Sequence, residues 1–388
     1  HLAAIMKSPT AASESLDILS ARGFTELFVK DRPLLDVRAP VEFTRGAFPT
    51  AHNIPLLDDD ERRQVGRRYR RAGQQAAIKL GHELVSGAEK QRRLQAWQQW
   101  IDENPEGLLY CYRGGLRSQL VQQWLAEAGI VIPRIEGGYK ALRRFLIDSL
   151  EQQVSELDCI VVAGKTGCGK THLLQHLQRA IDLEGQANHR GSAFGRRVQA
   201  QPAQIDFENR IAIDLLQLAD AAQGRNEKIF IEDESHSVGS VSVPRQLFSK
   251  MRAAPLAVIE QPLQERVSTI LNDYILANFS DFQQAHGSQA FPVFADYLNE
   301  SLTRIQRRLG QDNYRQIKGQ LEEALEQHAN SGDTAGHRQW IASLLSDYYD
   351  PMYDYQLGKK LERLVFRGDA QEFLAWAGHL ETQNGSLS

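Results

Sequence analysis

Cys159-Ile160-Val161-Val162-Ala163-Gly164-Lys165-Thr166-Gly167-Cys168-Gly169-Lys170-Thr171 runs from an apolar strand straight into a glycine-rich loop. From Gly164 the spacing is Gly-x4-Gly-Lys-Thr. In that pattern successive backbone N–H groups cradle phosphate oxygens, a lysine reaches the terminal phosphates and a hydroxyl ligates Mg²⁺. Gly164, Lys165, Thr166, Gly167, Cys168, Gly169, Lys170 and Thr171 are therefore the expected phosphate-binding set, and a helix is predicted over Thr171–Ala180. Cys168 takes a variable loop position and Cys159 a core strand, so both read as bystanders rather than nucleophiles.

Downstream, Lys228-Ile229-Phe230-Ile231-Glu232-Asp233-Glu234-Ser235 is a second apolar strand ending in acids, where a phosphate-bound metal needs oxygen ligands. Asp233 is the first expected ligand beside Thr171, then Glu232; the competing reading is an acid cluster facing solvent. The intervening stretch 182–197 is too polar for a core and reads as a site loop. In it Arg190, Ser192 and Arg196 would hold an anionic substrate and His189 would carry a proton; a plain structural loop with solvated arginines is the alternative.

The same alternation of strand and helix extends upstream. Pro33–Val37 and Leu108–Cys111 read as strands, each followed by a helical pattern, and a polar helical stretch over 143–157 serves as connector. From about Asp273 strand signals fade and helical stretches such as Leu302–Leu325 and Leu357–Val365 dominate. The expected fold class is α/β: a first α/β domain over 1–150, a phosphate-loop α/β domain over 151–272, and a helical C-terminal lobe over 273–388 packed on it.

Composition sets bounds on this reading. The 388 residues are 42% hydrophobic and 24% charged, which fits globular domains and excludes bulk disorder or a fibrous repeat. No apolar run approaches the roughly 20 residues that span a bilayer, so no membrane partner is expected. No basic-then-apolar segment opens the chain, and His1 reads as a residue ahead of a native start near Met6; the default location is the cytoplasm. Thr382–Ser388 reads as a polar tail. Three scattered cysteines do not make a disulfide framework or a zinc site. With 45 Lys+Arg against 49 Asp+Glu the net charge is −4, so an anionic partner needs local patches. Arg62, Arg63, Arg67, Arg68, Arg70 and Arg71 form one, with Arg92/Arg93, Arg143/Arg144 and Arg304/Arg307/Arg308 further on; each serves equally well as a solvated helix face. Tyr348, Tyr349, Tyr353 and Tyr355 form a cluster that either stacks bases, lines an apolar pocket or packs domains together.

A second constellation of chemistry lies at 108–118, Leu-Leu-Tyr-Cys-Tyr-Arg-Gly-Gly-Leu-Arg-Ser. A strand delivers Cys111 into a glycine loop leading to a helix from about Ser118. Backbone N–H groups and the helix N-terminus would stabilise the thiolate, and Arg117 would clamp an incoming oxyanion. Catalytic roles fall on Cys111 and Arg117, and the cradle is Tyr112, Arg113, Gly114, Gly115 and Leu116.

Leu35-Asp36-Val37-Arg38-Ala39-Pro40, with Gly46-Ala47-Phe48-Pro49 and Ala51-His52-Asn53-Ile54-Pro55, resembles the entry segment of the rhodanese (sulfurtransferase) family. That family's active cysteine carries a transferable chalcogen, a role that falls here on Cys111. Arg117 stands six residues after Cys111, where rhodanese loops have five, and six is the spacing of cysteine-dependent phosphatases. A phosphatase or sulfurtransferase coupled to an NTP-binding domain is therefore the competing function. A non-enzymatic docking module with a nucleotide-gated switch is a third.

Taken together, the Cys111 loop, the Thr166–Thr171 loop, His189-Arg190-Gly191-Ser192-Ala193-Phe194-Gly195, Glu232-Asp233-Glu234-Ser235 and Tyr348-Tyr349-Asp350-Pro351-Met352-Tyr353 resemble the bacterial tRNA 2-selenouridine synthase family along nearly the whole chain. The resemblance implies a transferase acting on wobble 2-thiouridine in tRNA. Geranyl diphosphate first alkylates the sulfur, and selenophosphate then supplies selenium as the geranylthio group leaves. It further implies Mg²⁺, no tightly bound organic cofactor, geranyl diphosphate rather than ATP on the phosphate loop, and selenophosphate at Cys111, which either carries selenium or only activates it. The partners it implies are the tRNA, held by the arginine clusters, and transient contact with a selenophosphate-producing enzyme.

Overall fold

The computed structural model describes residues 17–225 and 227–383. The start expected near Met6 and the tail from Asn384 lie outside them, whereas Thr382 and Gln383 close a helix, Ala370–Gln383. The chain divides into two compact units at Ser149/Leu150, within the helix Gly138–Glu156.

The first unit is built on β1 (Ile18–Leu19), β2 (Leu34–Asp36), β3 (Ala51–Asn53), β4 (Leu108–Tyr110) and β5 (Arg134–Ile135), in the order β1-β5-β4-β2-β3. All pairings are parallel. Of the three inner strands, β2 and β4 are buried throughout, as parallel strands covered on both faces must be. In such sheets ligands gather at the carboxyl ends of the strands, and here β4 ends one residue before Cys111. Beside it a buried ion pair pins the next loop. Arg38 Nη2 donates to Asp36 Oδ2 at 2.6 Å and to the Gly46 carbonyl at 2.8 Å, and the Tyr110 hydroxyl donates to Asp36 Oδ2 at 2.7 Å. The long helix Asp59–Leu84 begins with a reciprocal cap between Asp58 and Glu61 and is interrupted at Gly73, whose φ is 78°.

The second unit is built on β6 (Cys159–Gly164), β7 (Ala180–Ile181), β8 (Ile229–Glu232), the hairpin β9 (Ser237–Val238) and β10 (Val241–Ser242), β11 (Leu256–Ile259) and β12 (Leu364–Gly368). Its main sheet is parallel, in the order β12-β11-β6-β8-β7. Two expectations are corrected here. The helix after the phosphate loop spans only Lys170–Leu174, because Ala180–Ile181 is drawn into the sheet against Phe230–Ile231. Leu357–Val365 is not a helical stretch: the helix Asp350–Gly358 ends, and Leu364–Gly368 returns to the sheet as its edge strand on β11. Leu364, Val365 and Phe366 suit a strand that is covered on one face only, and their alternating burial shows it.

Around the sheet, Leu302–Leu325 is two helices, Ala290–Leu309 and Gln311–Ser331, separated at Gly310 with φ 84°. Their apolar faces close on Leu298, Leu302, Ile317, Leu321, Trp340 and Ile341. Among the described residues, no helix is long and apolar enough to cross a membrane.

Candidate functional site

In the first unit, Cys111 follows β4 directly and is 3% exposed. The loop turns within four residues into the helix Leu116–Glu127. Cys111 Sγ lies 3.2 Å from Ser118 Oγ in that helix's first turn, and Ser118 Oγ donates to the Gly115 carbonyl at 3.1 Å. The sulfur therefore sits at a helix N-terminus with a hydroxyl beside it. Glycines make the turn tight enough. A Cβ on Gly114, at φ 62°, would stand 2.7 Å from the Gly137 nitrogen, and one on Gly138, at φ 56°, would overlap the Cys111 carbonyl oxygen. Gly138→Ala should lower stability by about 2 kcal/mol or more, read as a drop in melting temperature, through strain added to overlap.

Arg117, the expected oxyanion clamp, is engaged elsewhere in this state. Its Nη1 and Nη2 donate to Glu42 Oε2 and Oε1 at 2.6 and 3.1 Å, and Arg62 reaches the same carboxylate at 3.0 Å. Ser118 is the group nearest the sulfur, and sequence reasoning missed it. Tyr112, Arg113 and Leu116 are exposed at the rim, with Tyr112 stacked 6.0 Å from Tyr139.

In the second unit, the phosphate loop has the expected form. Gly167 and Gly169 take φ 84° and 77°, and a Cβ on Gly164 would overlap Cys168 Sγ. Lys170 Nζ donates to the Gly164 carbonyl at 2.9 Å. Thr171 Oγ1 donates to Glu232 Oε1 at 3.1 Å and to Glu184 Oε2 at 3.3 Å. Carboxylate oxygens of Glu184, Glu232 and Glu234 lie within 4.8 Å of one another.

This corrects the ligand order read from sequence. Asp233, though on the same pocket, pairs with Lys360 at 2.7 and 2.9 Å, whereas Glu232, at the end of β8, meets Thr171. Alternation along the strand explains it: neighbouring side chains point to opposite faces. Glu184, supplied by a short helix capped by Asp182, completes the set, and no motif marked it.

Three hard oxygen donors and a hydroxyl suit Mg²⁺. Burial first, then mutual repulsion, holds the carboxyls of Glu232 and Glu234 above the ordinary carboxylate range; burial does the same for Glu184. Folded-state values raised above unfolded ones mean that these groups favour folding at low pH and lose that contribution as pH rises through the raised values. Cation binding removes the repulsion. Mg²⁺ should therefore raise the melting temperature more at pH 8.5 than at pH 6, and Glu232→Gln should shrink that increment.

The pocket over this loop, about 660 Å³, is lined by Arg190, Ser192 and Arg197 but not by His189 or Arg196. Arg190 lies over the Tyr274 ring at 5.2 Å, and Ser192 Oγ donates to the Tyr274 hydroxyl at 3.2 Å. Arg196 faces Glu300 at 3.7 Å and the Tyr297 ring at 5.5 Å. His189 is 9% exposed; burial, then the charges of Arg304 and Arg197, lower its pKa below the usual imidazole value. It is a packed residue against Gly195 and Gly239. Ile270, Tyr274, Tyr349, Met352 and Tyr353 form an apolar and aromatic wall. Of the tyrosine cluster, Tyr348 and Tyr349 pack in the helical core, Tyr353 faces the loop and Tyr355 is exposed. Arg266 fixes the helix that carries Tyr353, donating to Asp350 at 2.8 and 2.7 Å and to the Thr166 carbonyl at 3.3 Å. Cys168 packs among Leu173, Leu174 and Ile259, and burial pushes the Cys159 thiol up to about 11.

The arginine runs differ in kind. Arg93 is buried against Glu61 and Glu89, a structural pair, whereas Arg67, Arg68, Arg70 and Arg71 lie on one helix with solvent-facing side chains.

Comparison with known proteins adds the family. Residues 20–144 match the rhodanese-like domain, and residues 157–384 match the tRNA 2-selenouridine synthase AAA domain. A protein of Hahella chejuensis called tRNA 2-selenouridine synthase is 51% identical over 365 residues, 94% of this chain and 96% of its own length. Relatives of the same name from Pseudomonas fluorescens and Marinobacter nauticus are 49% and 46% identical, covering 90% and 91% of this chain and 96% of each relative.

Proposed function

Because the chain belongs to the tRNA 2-selenouridine synthase family, we propose that it converts wobble 2-thiouridine to 2-selenouridine in two steps with two anion sites. In the first, the 2-thio sulfur attacks C1 of geranyl diphosphate. A C–S bond forms, the C–O bond breaks, diphosphate leaves with the electron pair and the base gives up its N3 proton. In the second, selenium from selenophosphate attacks C2 of the base. The C–S bond breaks and geranylthiol departs with a proton; water cleaves the P–Se bond to give phosphate, and N3 regains its proton.

The observation that carries the first step is the union of a phosphate cradle and an apolar wall in one pocket. Gly164–Thr171 faces Ile270, Tyr274, Tyr349, Met352 and Tyr353, which suits a diphosphate with a hydrocarbon chain. Lys170 and the loop amides bind the diphosphate, and Arg190 and Arg197 stand on the same pocket for further phosphate oxygens. Thr171 with Glu184, Glu232 and Glu234 would hold Mg²⁺, which would supply positive charge beside the leaving diphosphate.

The second step rests on the Cys111 loop. Ser118 and the helix N-terminus position the sulfur, and Arg117 joins them by exchanging Glu42 for the incoming anion. The partners on this reading are tRNA, geranyl diphosphate, selenophosphate and, transiently, the enzyme that makes selenophosphate; the cytoplasm is where they meet.

Calorimetry on the full chain with Mg²⁺ tests the loop's ligand. Geranyl diphosphate is expected to bind and to resist displacement by excess ATP. ATP binding that excludes geranyl diphosphate would overturn the assignment and return the NTP-dependent alternatives.

A further inference from the structure

A second large cavity, about 1010 Å³, lies wholly within the first unit, between the helices Asp59–Leu84 and Leu116–Glu127. Resting on the two-step reading above, we propose that this groove holds the prenyl chain of the S-alkylated wobble base during selenium transfer.

Its floor is apolar, with Leu56, Val65, Ile78, Leu120 and Trp124 among its lining. Its edge carries Tyr69 and Leu116, 57% and 52% exposed, large apolar side chains that folding leaves in water. Its rim is cationic. Arg62 and Arg70 line it, and Arg67, Arg68 and Arg71 extend the charge along the same exposed helix. The acids within it are already engaged: Glu42 with Arg117 and Arg62, Asp60 with Arg63, and Asp59 as acceptor from the Val41 amide.

Charge and polarity together select the occupant. A free hydrocarbon has no use for an arginine rim, and an unmodified RNA strand has none for an apolar floor. An S-prenyl nucleotide within RNA needs both, with the ten-carbon chain below and the flanking phosphates above. Position agrees. Leu116 and Arg117 line the groove, and Ser118, the next residue, touches Cys111 Sγ. A chain lying in the groove thus leaves the base near the sulfur that receives selenophosphate.

The test uses the full chain and two anticodon stem-loop RNAs made chemically, one with S-geranyl and one with S-methyl 2-thiouridine at the wobble position. The wild type is expected to bind the geranyl RNA at least about tenfold more tightly, since buried chain atoms add affinity. Leu120→Asp and Val65→Asp, placed on opposite walls, should each bind the two RNAs equally while keeping geranyl transfer to 2-thiouridine RNA; two sites guard against one substitution that unfolds. A preference absent from the wild type, or undiminished in the folded variants, overturns the proposal. The RNA is supplied already alkylated, so failure of the two-step reaction is read separately: a groove-dependent preference without geranyl transfer sinks the reaction and leaves the groove.

Discussion

Lys170→Ala is expected to lose geranyl transfer by at least about 100-fold, the scale of removing one preorganised charged donor from a developing anion. The side chain stands at the base of the phosphate loop, on the Gly164 carbonyl. Burial works against its charge, and the acidic groups that face it, Glu232, Glu184 and Glu234 among them, raise its pKa above the ordinary lysine value. It is the cation closest to the departing diphosphate on this reading. The same variant should still convert chemically geranylated RNA to the selenonucleoside when given selenophosphate, because Cys111 lies in the other unit. Liquid chromatography and mass spectrometry of the nucleosides reads both activities.

Cys111→Ala should give the reverse pattern. Selenation falls to background while S-geranyl-2-thiouridine accumulates in tRNA, because the variant removes the one sulfur set against Ser118 and the helix N-terminus. Equal loss of geranyl transfer in the Lys170 and Cys111 variants would contradict the division of labour. Release of phosphate from an aryl phosphate in a Cys111-dependent manner would favour the phosphatase chemistry that the Cys111-to-Arg117 spacing admits.

Glycine spacing makes both loops legible in the sequence, because a phosphate cradle and a cysteine turn each demand backbone that glycine supplies most readily at the positive φ values seen at Gly114, Gly167 and Gly169. The parallel alternation is legible too, from the apolar runs that end in those loops. What local pattern does not carry is which neighbouring side chain faces inward. Glu232 rather than Asp233 meets Thr171 because of strand parity, and Glu184 joins them through a tertiary contact across 48 residues of sequence to Glu232. His189 has the composition of a proton carrier yet is packed under Gly195 and Gly239, a burial that no spacing announces. Leu364–Gly368 follows a helical stretch and becomes a strand only because β11 offers an open edge. The groove beside Arg117 is invisible to local pattern for the same reason: it exists only once two helices distant in sequence face each other.

The central claim is that one chain performs alkylation and then selenium transfer on the same base. The direct measurement is mass spectrometry of nucleosides from 2-thiouridine-containing tRNA incubated with the protein, Mg²⁺ and geranyl diphosphate, before and after selenophosphate is added. The account predicts an S-geranyl adduct that converts to 2-selenouridine. A selenonucleoside formed without geranyl diphosphate, or a geranyl adduct that persists in the presence of selenophosphate, would contradict it.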